Sequence, residues 1–216
     1  MPAALIINHL TKSFASVGAV QDVSFEVERG AIFGLLGPNG AGKTTTIRMI
    51  MDILKPDSGQ IQILDHAPGL GREKIGYLPE ERGLYRGLRV LDTLVYFGEL
   101  KGLTTARARA RALDLLKRVE LDDRARAKVQ ELSRGMQQKL QLAATIIHQP
   151  DLVILDEPFQ GLDPVNVDLI RRLIRELRDE GKTIILSAHE MHLVETLCER
   201  IALINRGRIV LNGDLA

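Results

Sequence analysis

The stretch AIFGLLGPNGAGKTTTIRMIMDIL, Ala31 to Leu54, narrows the possible folds more than any other part of this 216-residue chain. An unbroken apolar run passes into a glycine-rich loop and then into a helical pattern. Gly37-Pro38-Asn39-Gly40-Ala41-Gly42-Lys43-Thr44 fits G-x-x-x-x-G-K-[ST] in the strand-before, helix-after context that the pattern requires. Its glycines let the backbone curl so that several N–H groups converge on phosphate oxygens. Lys43 would bring a mobile positive charge to the outer phosphates, and the Thr44 hydroxyl could ligate Mg²⁺. The candidate cradle runs from Gly37 to Thr45. A plain glycine-rich helix cap is the bland reading, and the flanking context weighs against it.

Around this unit, alternating apolar residues in ALIINHL and VSFEVE predict two earlier strands, and GQIQILD and KIGYLP two later ones. TIRMIMDIL predicts a helix stopped by Lys55-Pro56-Asp57-Ser58-Gly59. From residue 84 to 149 strand signals nearly vanish, and VLDTLVYFGEL, TTARARARALDLLKRVEL and SRGMQQKLQLAATIIH read as helices. Strands return in DLVILDEP, KTIILSAH and the hairpin RIALINRGRIVLNG, with the amphipathic helix PVNVDLIRRLIRELRDE between the first two. The expected class is α/β, one domain over residues 1–216. In it, 1–83 and 150–216 form the core with a β subdomain, and 84–149 an inserted helical subdomain.

Charge is nearly balanced, 29 basic residues against 28 acidic, so it gives no reason to expect nucleic acid or an anionic membrane as partner. Arg107, Arg109 and Arg111 are spaced two apart, which spreads them around a helix instead of aligning them in one stripe. No apolar run approaches the roughly 18 residues of a membrane-spanning helix. The N-terminus lacks the pattern of a secretory signal, and the single Cys198 cannot form an internal disulfide. A cytoplasmic location is expected.

Three further sites carry chemistry. The apolar strand LVIL ends in Asp156-Glu157; Asp156 is placed to hold Mg²⁺ and Glu157 to orient and deprotonate water. His189, alone among the five histidines, sits just beyond a buried strand, at the sheet edge where such folds place ligands. ELSRGMQQKLQLA opens a second helix behind an N-cap, Ser133, and a helix start is itself an anion site. One nucleotide needs only one cradle for its terminal phosphate, so this second site poses a question.

Taken together, these motifs resemble the nucleotide-binding domain of an ATP-binding cassette (ABC) transporter, over essentially the whole chain. The resemblance implies a P-loop NTPase (RecA-like) core with an N-terminal antiparallel β subdomain and an inserted α-helical subdomain, binding ATP and Mg²⁺. It implies that Phe14 in LTKSF stacks on adenine, that Gly161-Leu162-Asp163 is the D-loop, and that His189 is the switch histidine contacting the γ-phosphate. It also answers the question of the second anion site. In this family two domains pair head to tail, and the signature motif, here Ser133, Arg134, Gly135 and Met136, caps the ATP held by the partner.

Two positions depart from the family pattern. Arg134 stands inside the usual LSGGQ, where it either adds charge to the partner's ATP site or faces solvent. IGYLPEERGLY aligns with the Q-loop and puts Glu80 where the family has Gln, with Glu81 as the alternative if the register slips by one. Glu80 would keep an oxygen for the metal while adding negative charge beside ATP. YLPEERGLY with LSRGMQQK is similar to ATPases of the ABC-2 exporter class. The implied function is an ATP-hydrolysing subunit, a homodimer without nucleic-acid partner, that powers export through a separate membrane permease on the inner face of the cell membrane. The segment from Glu80 to Leu103 would form the permease's docking groove. Two alternatives are a soluble ABC ATPase acting on ribosome or DNA, and a nucleoside-kinase-like enzyme, which leaves ELSRGMQQK unexplained.

Overall fold

The computed structural model describes residues 2–15, 17–81 and 83–215. In chain order its main elements are β1 (Ala3–Phe14), β2 (Val17–Glu28), β3 (Ile32–Leu36), α1 (Lys43–Ile50), β4 (Ser58–Ile63), β5 (Ile75–Leu78), α2 (Val90–Leu100), α3 (Thr105–Arg118), α4 (Arg134–Ile146), β6 (Leu152–Leu155), α5 (Pro164–Asp179), β7 (Thr183–Ala188), β8 (Arg200–Asn205) and β9 (Arg208–Asp214). They form an antiparallel three-stranded sheet, β2-β1-β4, and a six-stranded sheet, β5-β6-β7-β3-β8-β9. The first five strands of the larger sheet run parallel and β9 runs antiparallel at its edge.

The period of two along a strand explains how the large sheet is covered on both faces. Ile32, Leu36, Val153, Leu155, Ile184 and Leu186 point into one core with α5 residues Ile170, Leu173 and Ile174. Their alternates Phe33, Leu35, Ile154 and Ile185 point into a second core with Ile47, Met49 and Ile50 of α1 and the inner face of the small sheet. Phe25 stacks on Phe33 there, with centroids 5.2 Å apart. The helical segment has no core of its own. Leu94, Leu115, Leu140 and Ala143 belong to the same cluster as α5 and the sheet.

Local signals placed the helix starts. Thr104, Ser133 and Asp163 each accept a hydrogen bond from the backbone N–H three residues on, at 3.4, 3.3 and 3.0 Å. One end differs from expectation. Helix α1 stops at Ile50, before the end of TIRMIMDIL, because Asp52 takes a left-handed φ of 56° and the N–H groups of Ile53 and Leu54 return to the Arg48 carbonyl at 2.9 and 3.1 Å. Periodicity cannot foresee that turn, since the apolar spacing continues through it. Among the described residues, no helix is long and apolar enough to cross a membrane.

Register then positions the chemistry. Leu78 pairs with Leu155, Leu155 with Leu186, and Leu36 with Ala188. The carboxyl ends of β5, β6, β7 and β3 are therefore nearly level, side by side, and the chain leaving each one enters the same region.

Candidate active site

Between β3 and α1 the chain wraps a loop that only glycine permits at two places. Gly37 has φ 149°, and a Cβ there would lie 2.1 Å from the Ile204 carbonyl oxygen. Gly42, the N-cap of α1, has φ 111°, and a Cβ there would lie 2.5 Å from the Ala19 carbonyl oxygen. The loop is thus pressed between β8 and the start of β2. Helix α1 has no acidic residue in its first turn and no side-chain cap, so its N-terminus suits an anion. Lys43 is 5% exposed and donates from Nζ to the carbonyls of Gly37 at 2.7 Å and Pro38 at 3.3 Å.

Across from the loop lie the carboxylates. Asp156 is wholly buried; Glu157 is nearly so and adopts a left-handed φ of 51°. Ser187 joins them: its hydroxyl donates to Asp156 Oδ1 at 2.6 Å and accepts from the Glu157 N–H at 2.9 Å. Glu157 Oε2 accepts from His189 Nδ1 at 2.9 Å, and Glu157 Oε1 lies 3.2 Å from Lys43 Nζ. That last contact is an ion pair with poor hydrogen-bond direction, and among the described residues Oε1 has no hydrogen-bond partner, nor does the buried Asp156 Oδ2. Burial pushes the Asp156 pKa up, the hydroxyls of Ser187 and Thr44 oppose this, and the charges of Glu80 and Glu157 add to the rise.

A cleft of about 380 Å³ is bounded by the loop from Asn39 to Thr45 together with Ala19, Glu80 and Glu157. A divalent cation fits this setting: it would satisfy the orphaned Asp156 oxygen and offset the gathered negative charge, with the Thr44 hydroxyl adjacent. Among the described residues no three His, Cys, Asp or Glu side chains converge closely enough to hold a metal alone. Mg²⁺ would then share its coordination with phosphates and water, its usual habit.

Of the two Q-loop candidates, Glu80 and Glu81, the structure places Glu80 nearer the loop. Glu80 lines the cleft, whereas the Glu81 carbonyl accepts from Gln141 Nε2 at 3.3 Å. Phe14, which composition alone would put in a core, is 49% exposed at the end of β1, with Lys12 Nζ 5.9 Å from its ring centroid. Arg111 is not part of a surface stripe, since its Nε donates to the Ile147 carbonyl at 2.7 Å.

The second candidate anion site is elsewhere. Ser133 and Arg134 are exposed at the start of α4, Gly135 is buried and Met136 half-buried. None of the four lines the cleft. Gly135 packs against a side chain of α5: a Cβ would come within 2.8 Å of Asn166 Nδ2, which would have to move. Asn166 in turn donates to Asp163 Oδ2 at 2.6 Å, and its backbone and side-chain bonds hold the Asp163 pKa down. The starts of α4 and α5 thus lie against each other.

The sequence profile of the family described as "ABC transporter" matches residues 20–160. The chain belongs to the ABC transporter family. An uncharacterized ABC transporter ATP-binding protein of Methanocaldococcus jannaschii is 45% identical over all of this chain and 79% of its own. Nod factor export ATP-binding protein I of Paraburkholderia xenovorans is 40% identical, over 98% of this chain and 71% of its own. Among solved structures, a dimeric post-hydrolysis ATP-binding cassette bound to ADP and Pi is 25% identical over 98% of this chain and 99% of that one, with a TM-score of 0.90. This ABC protein is accordingly an ATP-binding, ATP-hydrolysing transporter subunit.

Within the ABC fold, four adjacent strand ends bring together Lys43, Thr44, Glu80, Asp156, Glu157 and His189. Ser187 and Asn166 were not among the residues singled out from sequence. Ser187 carried a faint signal as the one hydroxyl at an inward position of TIILSAH after its first residue. Asn166 had none, because its role depends on α4 lying against α5.

Proposed function

We propose that this ABC ATPase works as a head-to-tail dimer, in which Ser133, Arg134, Gly135 and Met136 close on the ATP held by the partner's loop from Gly37 to Thr45. One observation carries this reading. The residues suited to chemistry share one cleft, while the exposed N-cap at Ser133 lies outside its lining, at a helix start whose leading N–H groups have no intrahelical carbonyl to bond. Pairing of two identical subunits completes two such sites.

In each site Phe14 offers a flat exposed face for the adenine, the loop N–H groups and Lys43 hold the phosphates, and Thr44, Asp156 and Glu80 would hold Mg²⁺. The metal, when bound, would offset phosphate charge. Glu157 takes the proton of the attacking water, and His189, bonded to its Oε2, keeps that carboxylate turned toward the phosphate end of the cleft. Asp163 caps α5 at the seam between the subunits.

The energy serves export through a separate permease, a direction supported by the similarity to the Nod factor export protein. A groove of about 330 Å³ between β5, α2 and α4, walled by Tyr77, Leu84, Phe97 and Ala144, suits a cytoplasmic helix of that permease. Exposed Tyr85 and Tyr96, edge to face at 5.5 Å, extend its apolar rim. Gln141 Oε1 and His148 Nδ1 line it without hydrogen-bond partners, which favours an occupant bringing donors. The subunit would then sit in the cytoplasm against the membrane's inner face.

The deciding measurement is specific ATPase activity against protein concentration, with Ser133→Ala alongside. Activity per molecule should rise with concentration and fall in the variant. A rate indifferent to both refutes the shared site.

A further inference from the structure

We infer that Ser187 is the positioning residue for both carboxylates of the site, fixing Asp156 and Glu157 through a single hydroxyl. The inference rests on the roles proposed above for those two residues. Strand β7 lies between β6 and β3, so the side chain of Ser187 arises from the strand next to the one that delivers Asp156.

The position is wholly buried in a strand whose neighbours are Ile184, Ile185 and Leu186. Valine there would meet every demand of burial and strand geometry. A buried hydroxyl carries a desolvation cost unless it is bonded, so its bonds are the reason to look for a role. A hydroxyl has one donor and two acceptor positions. The donor goes to Asp156 Oδ1 at 2.6 Å, and one acceptor takes the Glu157 N–H at 2.9 Å.

Each bond has a separate consequence. Committing Oδ1 leaves Oδ2, buried, near the Thr44 hydroxyl and without a well-formed hydrogen bond among the described residues, as the Asp156 oxygen available to a divalent cation. Holding the Glu157 N–H stabilises the left-handed φ of 51°, a conformation that a side chain with a Cβ otherwise resists. That turn directs the Glu157 carboxylate between Lys43 and His189. The hydroxyl therefore tunes cation affinity through one residue and turnover through the other.

The test compares Ser187→Val with Ser187→Thr in the full chain, after thermal unfolding shows both fold. Mn²⁺ affinity is read by electron paramagnetic resonance with a non-hydrolysable ATP analogue, alongside kcat, the Mg²⁺ half-saturation and metal-free ATP binding. Valine should weaken Mn²⁺ binding and lower kcat by about tenfold each, the scale of one hydrogen bond to a charged group, with metal-free ATP binding unchanged. Threonine, which restores the hydroxyl, should stay near wild type. Valine matching wild type in cation affinity and kcat, or threonine sharing the full defect of valine, overturns the inference. If Asp156→Asn and Glu157→Gln themselves leave cation affinity and hydrolysis untouched, the proposed site roles fail first and this inference falls with them.

Discussion

Replacing Glu157 with glutamine removes one charge and one proton acceptor while keeping the shape of a side chain that is only 8% exposed. The structure separates the effects. Lys43 keeps the Gly37 and Pro38 carbonyls, at 2.7 and 3.3 Å, which offset part of the cost of losing the buried 3.2 Å ion pair, so folding stability should fall by no more than about 3 kcal/mol. Removing a negative charge from the cleft cannot weaken binding of an anionic polyphosphate by charge, so ATP affinity should be kept or improved. Without a positioned base the rate should fall about 10²- to 10⁴-fold, roughly 3–5 kcal/mol of barrier. The assay is single-turnover hydrolysis with calorimetric ATP binding, and sedimentation velocity to detect a dimer trapped by unhydrolysed ATP. A variant that hydrolyses within threefold of the wild-type rate would show that Glu157 is not the base. One that binds no ATP would show that its carboxylate is part of the cradle instead.

Lys43→Ala should abolish tight nucleotide binding, since the loop then holds no mobile cation, and unchanged calorimetric affinity would remove that role. Gly135→Ala brings a methyl group to 2.8 Å from Asn166 Nδ2, which must then swing off Asp163, so weaker ATP-dependent dimerisation is expected while alanine's better helix propensity keeps stability within about 1 kcal/mol of wild type. Adding Asn166→Ala should relieve the clash, and a double variant whose effects are simply additive would contradict the contact. His148 has its pKa lowered to about 4, chiefly by burial and then by the Lys101 charge. Above about pH 6.5 both folded and unfolded chains leave it neutral. As pH falls from there to about 4 only the unfolded chain takes the proton, so stability is lost across that window, by roughly 2 kcal/mol after allowance for partial solvent access. His148→Leu should flatten that part of the stability–pH curve, and an unchanged slope would place the effect elsewhere.

Much of this was legible before any coordinates. The loop from Gly37 to Thr45 announced itself because each requirement, glycine freedom, a lysine, a hydroxyl, an apolar strand before and a helix after, is met within a dozen neighbouring positions. The cap at Ser133 was legible for the same reason, since its hydrogen bond spans three residues. Other features were opaque. The end of α1 hides beneath a continuing apolar period, and the exposure of Phe14 depends on where the small sheet stops against its surroundings.

The amino-acid sequence alone determined which segments are strands and helices, which loop can wrap a phosphate, and that a second helix opens behind a capping serine. Those properties follow from backbone sterics and hydrogen bonds between near neighbours. Tertiary structure decided that the ends of β5, β6, β7 and β3 stand level, that Glu80 and not Glu81 lines the cleft, and that one buried serine, 31 positions from Asp156, bonds the Asp156 carboxylate and the Glu157 backbone N–H together. Such pairings depend on strand order and register. These are set by the packing of two cores on opposite faces of one sheet, a balance to which residues far apart along the chain contribute together.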